Sequence, residues 1–265
     1  MIRDTTILFR RRLTHLAAYP SLTLMLIGMP LTFLFLFVYV FGGTMGSGIA
    51  GTHLSGSTSR SHYLTYIFPA ILVMTVAATA QGTAIGISMD MTRGIVDRLR
   101  TLPIARSAVL TAHALGALVQ TVIGAAVVLG VALALGYRTS AGFGSWALIV
   151  LVTLAFSLAL TWLTMALGLA AKSVETASNT PMFLTLLPFL SSGFVPTDSM
   201  SPVLRFVAQN QPFTPIVDAL RGLLDGRAPS SGTLVAALVW CTIIAVLSFV
   251  WSTRLYARRS AVAAA

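Results

Sequence analysis

Lys172 is the only lysine in the chain, so it alone could grip a nucleotide phosphate in the P-loop manner. A P-loop reads G-x-x-x-x-G-K-[ST], its backbone N–H groups cradling the phosphates while the lysine reaches them. Here the lysine stands in Ala171-Lys172-Ser173, with no glycine before it. His15, His53, His62 and His113 are scattered, without the H-x-x-x-H spacing that holds a metal. No G-x-S-x-G elbow occurs. Cys241, the single cysteine, excludes an intramolecular disulfide and a cysteine-based zinc site. The residues therefore predict no catalytic group, no metal and no cofactor held by this chain.

Acids buried in a membrane are expensive and mark proton- or ion-coupled carriers. The seven here are Asp4, Asp90, Asp97, Glu175, Asp198, Asp218 and Asp225, and all lie in loops or near the ends of apolar segments. Neutral polar residues within those segments are the remaining candidates for a substrate pathway. They are Thr79, Gln81, Thr83, Gln120, Ser157 and Thr161. Interhelical packing is the competing use of each, because small residues let helices approach and Gln or Thr bonds across them.

Two polar stretches stand out. The first runs Met89-Asp90-Met91-Thr92-Arg93-Gly94-Ile95-Val96-Asp97-Arg98-Leu99-Arg100-Thr101-Leu102-Pro103-Ile104. Ile95, Leu99 and Leu102 recur at i, i+4 and i+7, one stripe of a short helix that Pro103 ends. An apolar ridge with charged flanks suits docking on a soluble partner; a surface loop whose arginines set topology is the alternative. The second contains Ser191-Ser192-Gly193-Phe194-Val195-Pro196 and Gln211-Pro212-Phe213, then Asp218-Ala219-Leu220-Arg221. It is too polar to span and too apolar for a free loop. Asp218, Arg221 and Asp225 are predicted to form a charge ladder on one helical face, opposite Ile216, Val217 and Leu220.

The elements carrying these stretches follow from composition. Hydrophobic residues make up 56% of the 265, charged residues 9%, and the mean hydropathy is +0.88. Soluble domains carry about 25% charge, so this surface must face lipid. Spans of about 20 apolar residues are predicted at 22–41, 63–89, 108–135, 146–170, 177–195 and 233–252. The fifth is short and holds Pro181 and Pro188. Residues 1–21, with Ile2, Phe9, Leu13 and Leu16 on one face, are predicted to form an interfacial helix. Placing both termini in the cytoplasm puts 12 of the 17 basic residues inside and 5 outside, which obeys the positive-inside rule. The first apolar run exceeds a signal-peptide core and is expected to be retained. The net charge of +10 has no basic run interleaved with aromatics, which argues against nucleic acid and for anionic lipid.

In this order and setting, the two polar stretches resemble ABC-2 type permeases, in particular the daunorubicin-resistance branch. Members look like E-x-E-x-G-T-x-x-x-L-R-x-x-P after span two and S-G-x-F-x-P … N-P-x-x … A-L-R after span five. Gly94, Leu99, Arg100 and Pro103 fit the first motif; Gly193, Phe194, Pro196, Pro212, Ala219, Leu220 and Arg221 fit the second. Asp90, Thr92 and Ile95 depart from the first, and Gln211 is extra in the second.

The resemblance implies a single all-α transmembrane domain over 1–265, six-spanning, with a cytoplasmic coupling loop at 90–106. Arg93, Gly94, Ile95, Asp97, Arg98, Leu99, Arg100, Leu102 and Pro103 would couple it to a separate ATPase holding ATP and Mg. A re-entrant outer gate at 196–232 and its approach would use Gly193, Phe194, Pro196, Pro212, Phe213, Asp218, Leu220 and Arg221. A second permease copy or relative would complete the pathway, and the cargo would be a drug, polyketide or lipid leaving a bacterial cell membrane. An ion-gradient-driven secondary efflux carrier is the alternative.

Overall fold

The computed structural model describes residues 2–18, 20–42, 57–92, 106–227 and 229–262, and among these it contains helices and no strand. In chain order they are α1 (Ile2–Ala18), α2 (Pro20–Leu36), α3 (Ser57–Thr92), α4 (Arg106–Ala134) and α5 (Phe143–Ala170). The short α6 (Val174–Asn179) and α7 (Met182–Leu186) follow, then α8 (Pro202–Asn210), α9 (Phe213–Leu224) and α10 (Ser231–Val262). A π-helical turn, Phe37–Phe41, extends α2. All nine expected coupling residues, Arg93 to Pro103, lie outside the described residues.

Among the described residues, five helices are long and apolar enough to cross a membrane: Thr23–Phe41, Arg60–Thr92, Ala108–Ala134, Phe143–Ala170 and Ser231–Ala257. These match five of the six predicted spans. The sixth differs. Residues 177–195 do not form one helix but a run of α6, α7 and a 3-10 turn, Leu187–Leu190, ending in the turn 191–194. Proline is the physical reason, since Pro181 and Pro188 lack the N–H that continues a helix. The broken run still lies along α3. Ser178 meets Gln81, Gly193 faces Ala70, and Ser192 meets Tyr66. From Gln81 to Tyr66 a helix rises about 22 Å, so the broken chain from Ser178 to Ser192 accompanies α3 over that length.

α3 is the axis of the bundle, with every residue from 67 to 80 buried. Small residues permit this. A Cβ on Gly168 of α5 would lie 2.6 Å from the Ala84 carbonyl oxygen, and one on Gly82 would lie 2.5 Å from Leu26 Cδ1. The core joins Phe68, Ile71 and Val73 of α3 to Val152 and Phe156 of α5 and to Phe213, Ile216 and Leu220 of α9.

One end of the bundle gathers the end of α2, the start of α3, the turn 191–194 and α9. The α4–α5 loop joins them there, because Thr139 Oγ1 donates to the Leu224 carbonyl at 2.6 Å. Gly226, at φ +69°, ends α9; a Cβ there would sit 2.7 Å from the Ser140 carbonyl oxygen. At the opposite end, Ile87, Leu110, Leu169 and Tyr256 form a second, smaller core.

Candidate functional site

α9 forms because its apolar residues recur at helical spacing. Phe213, Ile216, Val217, Leu220, Leu223 and Leu224 are all buried. The helix starts directly after Pro212, where a missing N–H costs nothing. Phe213 meets Phe156 edge to face at 5.2 Å. The remaining face carries Asp218 and Arg221, which form one ion pair of the predicted ladder. This face turns towards the 191–194 turn and α3.

Arg221 organises this junction. Its Nη1 donates to Asp218 Oδ1 at 2.8 Å. Its Nη2 donates to the carbonyls of Ser192 at 2.9 Å, Tyr66 at 3.3 Å and Gly193 at 3.4 Å. The guanidinium carbon lies 4.2 Å from the Tyr66 ring centroid, a cation–π distance. Tyr66 Oη donates to the Ser192 carbonyl at 2.9 Å, and Ser192 Oγ donates to Asp218 Oδ1 at 2.6 Å. Five residues from three separate segments thus close one polar knot. A planar fork of five donors can serve carbonyls and a carboxylate together; an ammonium cannot.

The turn fits α3 only because residue 193 is glycine, since a Cβ there would lie 2.5 Å from Ala70 Cβ. Ser191 Oγ accepts from the Gly193 N–H at 3.0 Å and donates to the Pro188 carbonyl at 2.6 Å. Phe194 stacks on Phe189 at 4.6 Å and approaches Phe37 at 4.7 Å, which ties the turn to the π-helical end of α2. Gly193, Phe194, Asp218 and Arg221 therefore converge, with Phe213 and Leu220 in the core beneath them. Pro196 is exposed and leads away into a short 3-10 turn, Thr197–Ser199.

The six polar residues predicted within spans are all engaged in or near helix contacts. Thr79 and Ser157 both bond Thr121, at 2.9 and 2.8 Å, a buried hydroxyl chain across α3, α4 and α5. Gln81 Nε2 donates to the Ser178 carbonyl at 2.8 Å, and Gln120 Nε2 to Thr23 Oγ1 at 3.1 Å. Thr83 is buried, and Thr161 Oγ1 is buried without a hydrogen-bond partner among the described residues. Thr121, the hub of the chain, was not among the residues singled out by sequence.

A second cluster also escaped sequence reading. Arg12 of α1 reaches into a notch between α3 and α4, where a Cβ on Gly86 would lie 2.8 Å from its Nη2 and one on Gly116 would lie 2.7 Å from its Cγ. Beside it, His113 Nε2 and Asp90 Oδ2 are 3.1 Å apart. Burial pulls the Arg12 guanidinium below its ordinary value, against the opposing pull of Asp90. The paired glycines, Gly86 and Gly116, were the sequence signal that an arginine could enter.

A helical bundle with five long apolar helices among the described residues is the architecture of a multi-pass membrane protein, and the polar knot ties α9, the turn 191–194 and α3 together at one end of it. Comparison with known proteins is specific: the chain belongs to the ABC-2 type transporter family, whose pattern matches residues 3–224. It is 29% identical over 247 residues to the daunorubicin resistance ABC transporter permease protein DrrB1 of Streptomyces coeruleorubidus, covering 92% of this chain and 82% of that one. It is 24% identical over 196 residues to the probable doxorubicin resistance ABC transporter permease protein DrrC of Mycobacterium tuberculosis, covering 74% and 68%. The chain is therefore an ABC-type permease, a multi-pass membrane protein of a family that works with ABC ATPase subunits.

Proposed function

We propose that this chain is one membrane half of an ATP-driven exporter for a lipophilic or amphipathic cargo such as a drug, polyketide or lipid. A separate ATPase hydrolyses ATP, and a second permease copy or relative completes the pathway. The chain crosses a bacterial cell membrane six times, the broken run 177–195 being the fifth crossing, with both termini in the cytoplasm. Residues 93–103 carry the motion of the ATPase to α3 and α4, which flank them in sequence.

The observation that carries the proposal is the Arg221 knot. It joins α9, the turn 191–194 and α3 at the end of the bundle assigned to the outside. In an exporter that alternates between inward- and outward-open states, such a knot is the outer lock. Hydrogen bonds to charged groups contribute about 1.5–3 kcal/mol each, so breaking two or three of them needs a driving input. A shift from 1:99 to 99:1 requires about 5.5 kcal/mol of differential binding, which ATP on a partner can supply.

The test uses the chain in complex with its ATPase, reconstituted in vesicles. Ser192→Cys and Asp218→Cys, bridged by a short bifunctional thiol reagent, should abolish ATP-driven cargo efflux while the complex stays assembled. The double variant without reagent should retain part of it. Full efflux after verified bridging would show that the knot does not open in the cycle. The ion-driven alternative would instead show cargo movement that follows a proton gradient without ATP.

A further inference from the structure

We propose that the groove between α1, α2 and α4 is a binding site for an anionic phospholipid, its acyl chain in the groove and its phosphate on Arg10. The inference concerns lipid binding and does not depend on the cargo or on ATP.

The groove has a volume of about 350 Å³. Its walls include Leu13 and Leu16 of α1, Leu24 and Ile27 of α2, and Gln120 and Ile123 of α4. At about 30 Å³ per water-sized group, it has room for about a dozen methylenes of one chain. Leu24 and Ile123 are 67% and 47% exposed, so the groove opens sideways to where lipid lies. Its polar feature is the Gln120–Thr23 hydrogen bond.

Charge decides the class of occupant. An apolar groove facing lipid gains little from an acyl chain alone, because the chain leaves an equally apolar medium. Selectivity must come from the headgroup. Arg10 is exposed, lies one turn before Leu13 of the groove wall, and is not ion-paired among the described residues. Arg12, by contrast, points into the Gly86–Gly116 notch and fixes α1 on α4, and Arg11 acts on that side, where its charge reaches Asp90. A cation one turn from a chain-sized slot matches a lipid with a phosphate of net negative charge. A zwitterionic lipid would gain less, since its own cation opposes that of Arg10.

The experiment reconstitutes the full-length chain in phosphatidylcholine bilayers with trace spin-labelled phosphatidylglycerol or spin-labelled phosphatidylcholine. The motionally restricted fraction is read by electron paramagnetic resonance. Phosphatidylglycerol should associate about fivefold more strongly, the gain expected for one arginine near the surface. Arg10→Gln should bring the ratio close to one. Ile123→Trp should also lower it towards one by filling the slot with Arg10 intact. Val127→Phe is a second plug at a lipid-exposed position should the first fail to insert. Plugged variants that keep the full preference would overturn the site, because charge would then act without the groove. So would an Arg10→Gln variant that keeps the full lipid preference.

Discussion

Arg221 makes contacts that no other side chain could make together, and its removal should be felt twice. Arg221→Ala leaves Asp218 without its cation and the carbonyls of Tyr66, Ser192 and Gly193 without this donor. A loss of about 3 kcal/mol is expected from stranding charge-assisted bonds in a partly buried site. Arg221→Lys should recover less than half, because one ammonium cannot bridge carboxylate and carbonyls while stacking on Tyr66. Denaturant or thermal unfolding in detergent reads both effects; equal stability of wild type and Arg221→Ala would contradict the knot. Asp225, at the end of α9, offers a pH test. Burial raises its carboxyl above the ordinary 3.8, against the pull of Arg227 and Arg221. The folded chain thus holds that proton more tightly than the unfolded chain does. Its contribution favours folding at low pH and is lost as pH rises through the shifted value. Asp225→Asn should therefore be more stable than wild type at neutral pH and lose that advantage below pH 4. An unchanged difference across that range would contradict the assignment.

At the scale of elements, the five long helices were legible because twenty apolar residues in a row leave little choice. The broken run 177–195 was half legible: Pro181 and Pro188 announced the interruption, but only the structure laid the fragments along α3. Periodicity grouped Asp218 and Arg221 on one face correctly. It could not say what the charged face meets, which in the fold is the backbone carbonyls of a tight turn. Arg12 was missed for the same reason, as an arginine beside a span reads as a topology signal until two glycines on other helices are seen to make room for it. Close helix approach yields its own prediction. Gly168→Val would press a β-branched side chain against Ala84 and Ile87, where even a Cβ would come within 2.6 to 2.9 Å. Overpacking of this kind costs about 1–3 kcal/mol, and the α3–α5 contact is central to the bundle. Wild-type expression and stability of this variant would mean that α3 and α5 sit farther apart than described.

For the whole molecule, the proposed function has power arriving from outside. The chain has no P-loop lysine, and Asp90, the acid of α3, is engaged with His113 beside Arg12. On that proposal work enters through residues 93–103, whose Leu99 is the centre of the predicted apolar ridge. Leu99→Asp should leave the helices folded and the complex able to hydrolyse ATP at its basal rate, while cargo transport per ATP falls at least tenfold. Undiminished coupling would remove that segment from the mechanism. The most direct measurement compares two preparations of sealed vesicles. One contains the chain with its ATPase and ATP, the other the chain alone with an imposed proton gradient and no nucleotide. Accumulation of a lipophilic cargo against its gradient only in the first is the predicted result. Uphill movement in the second would contradict the account at its root.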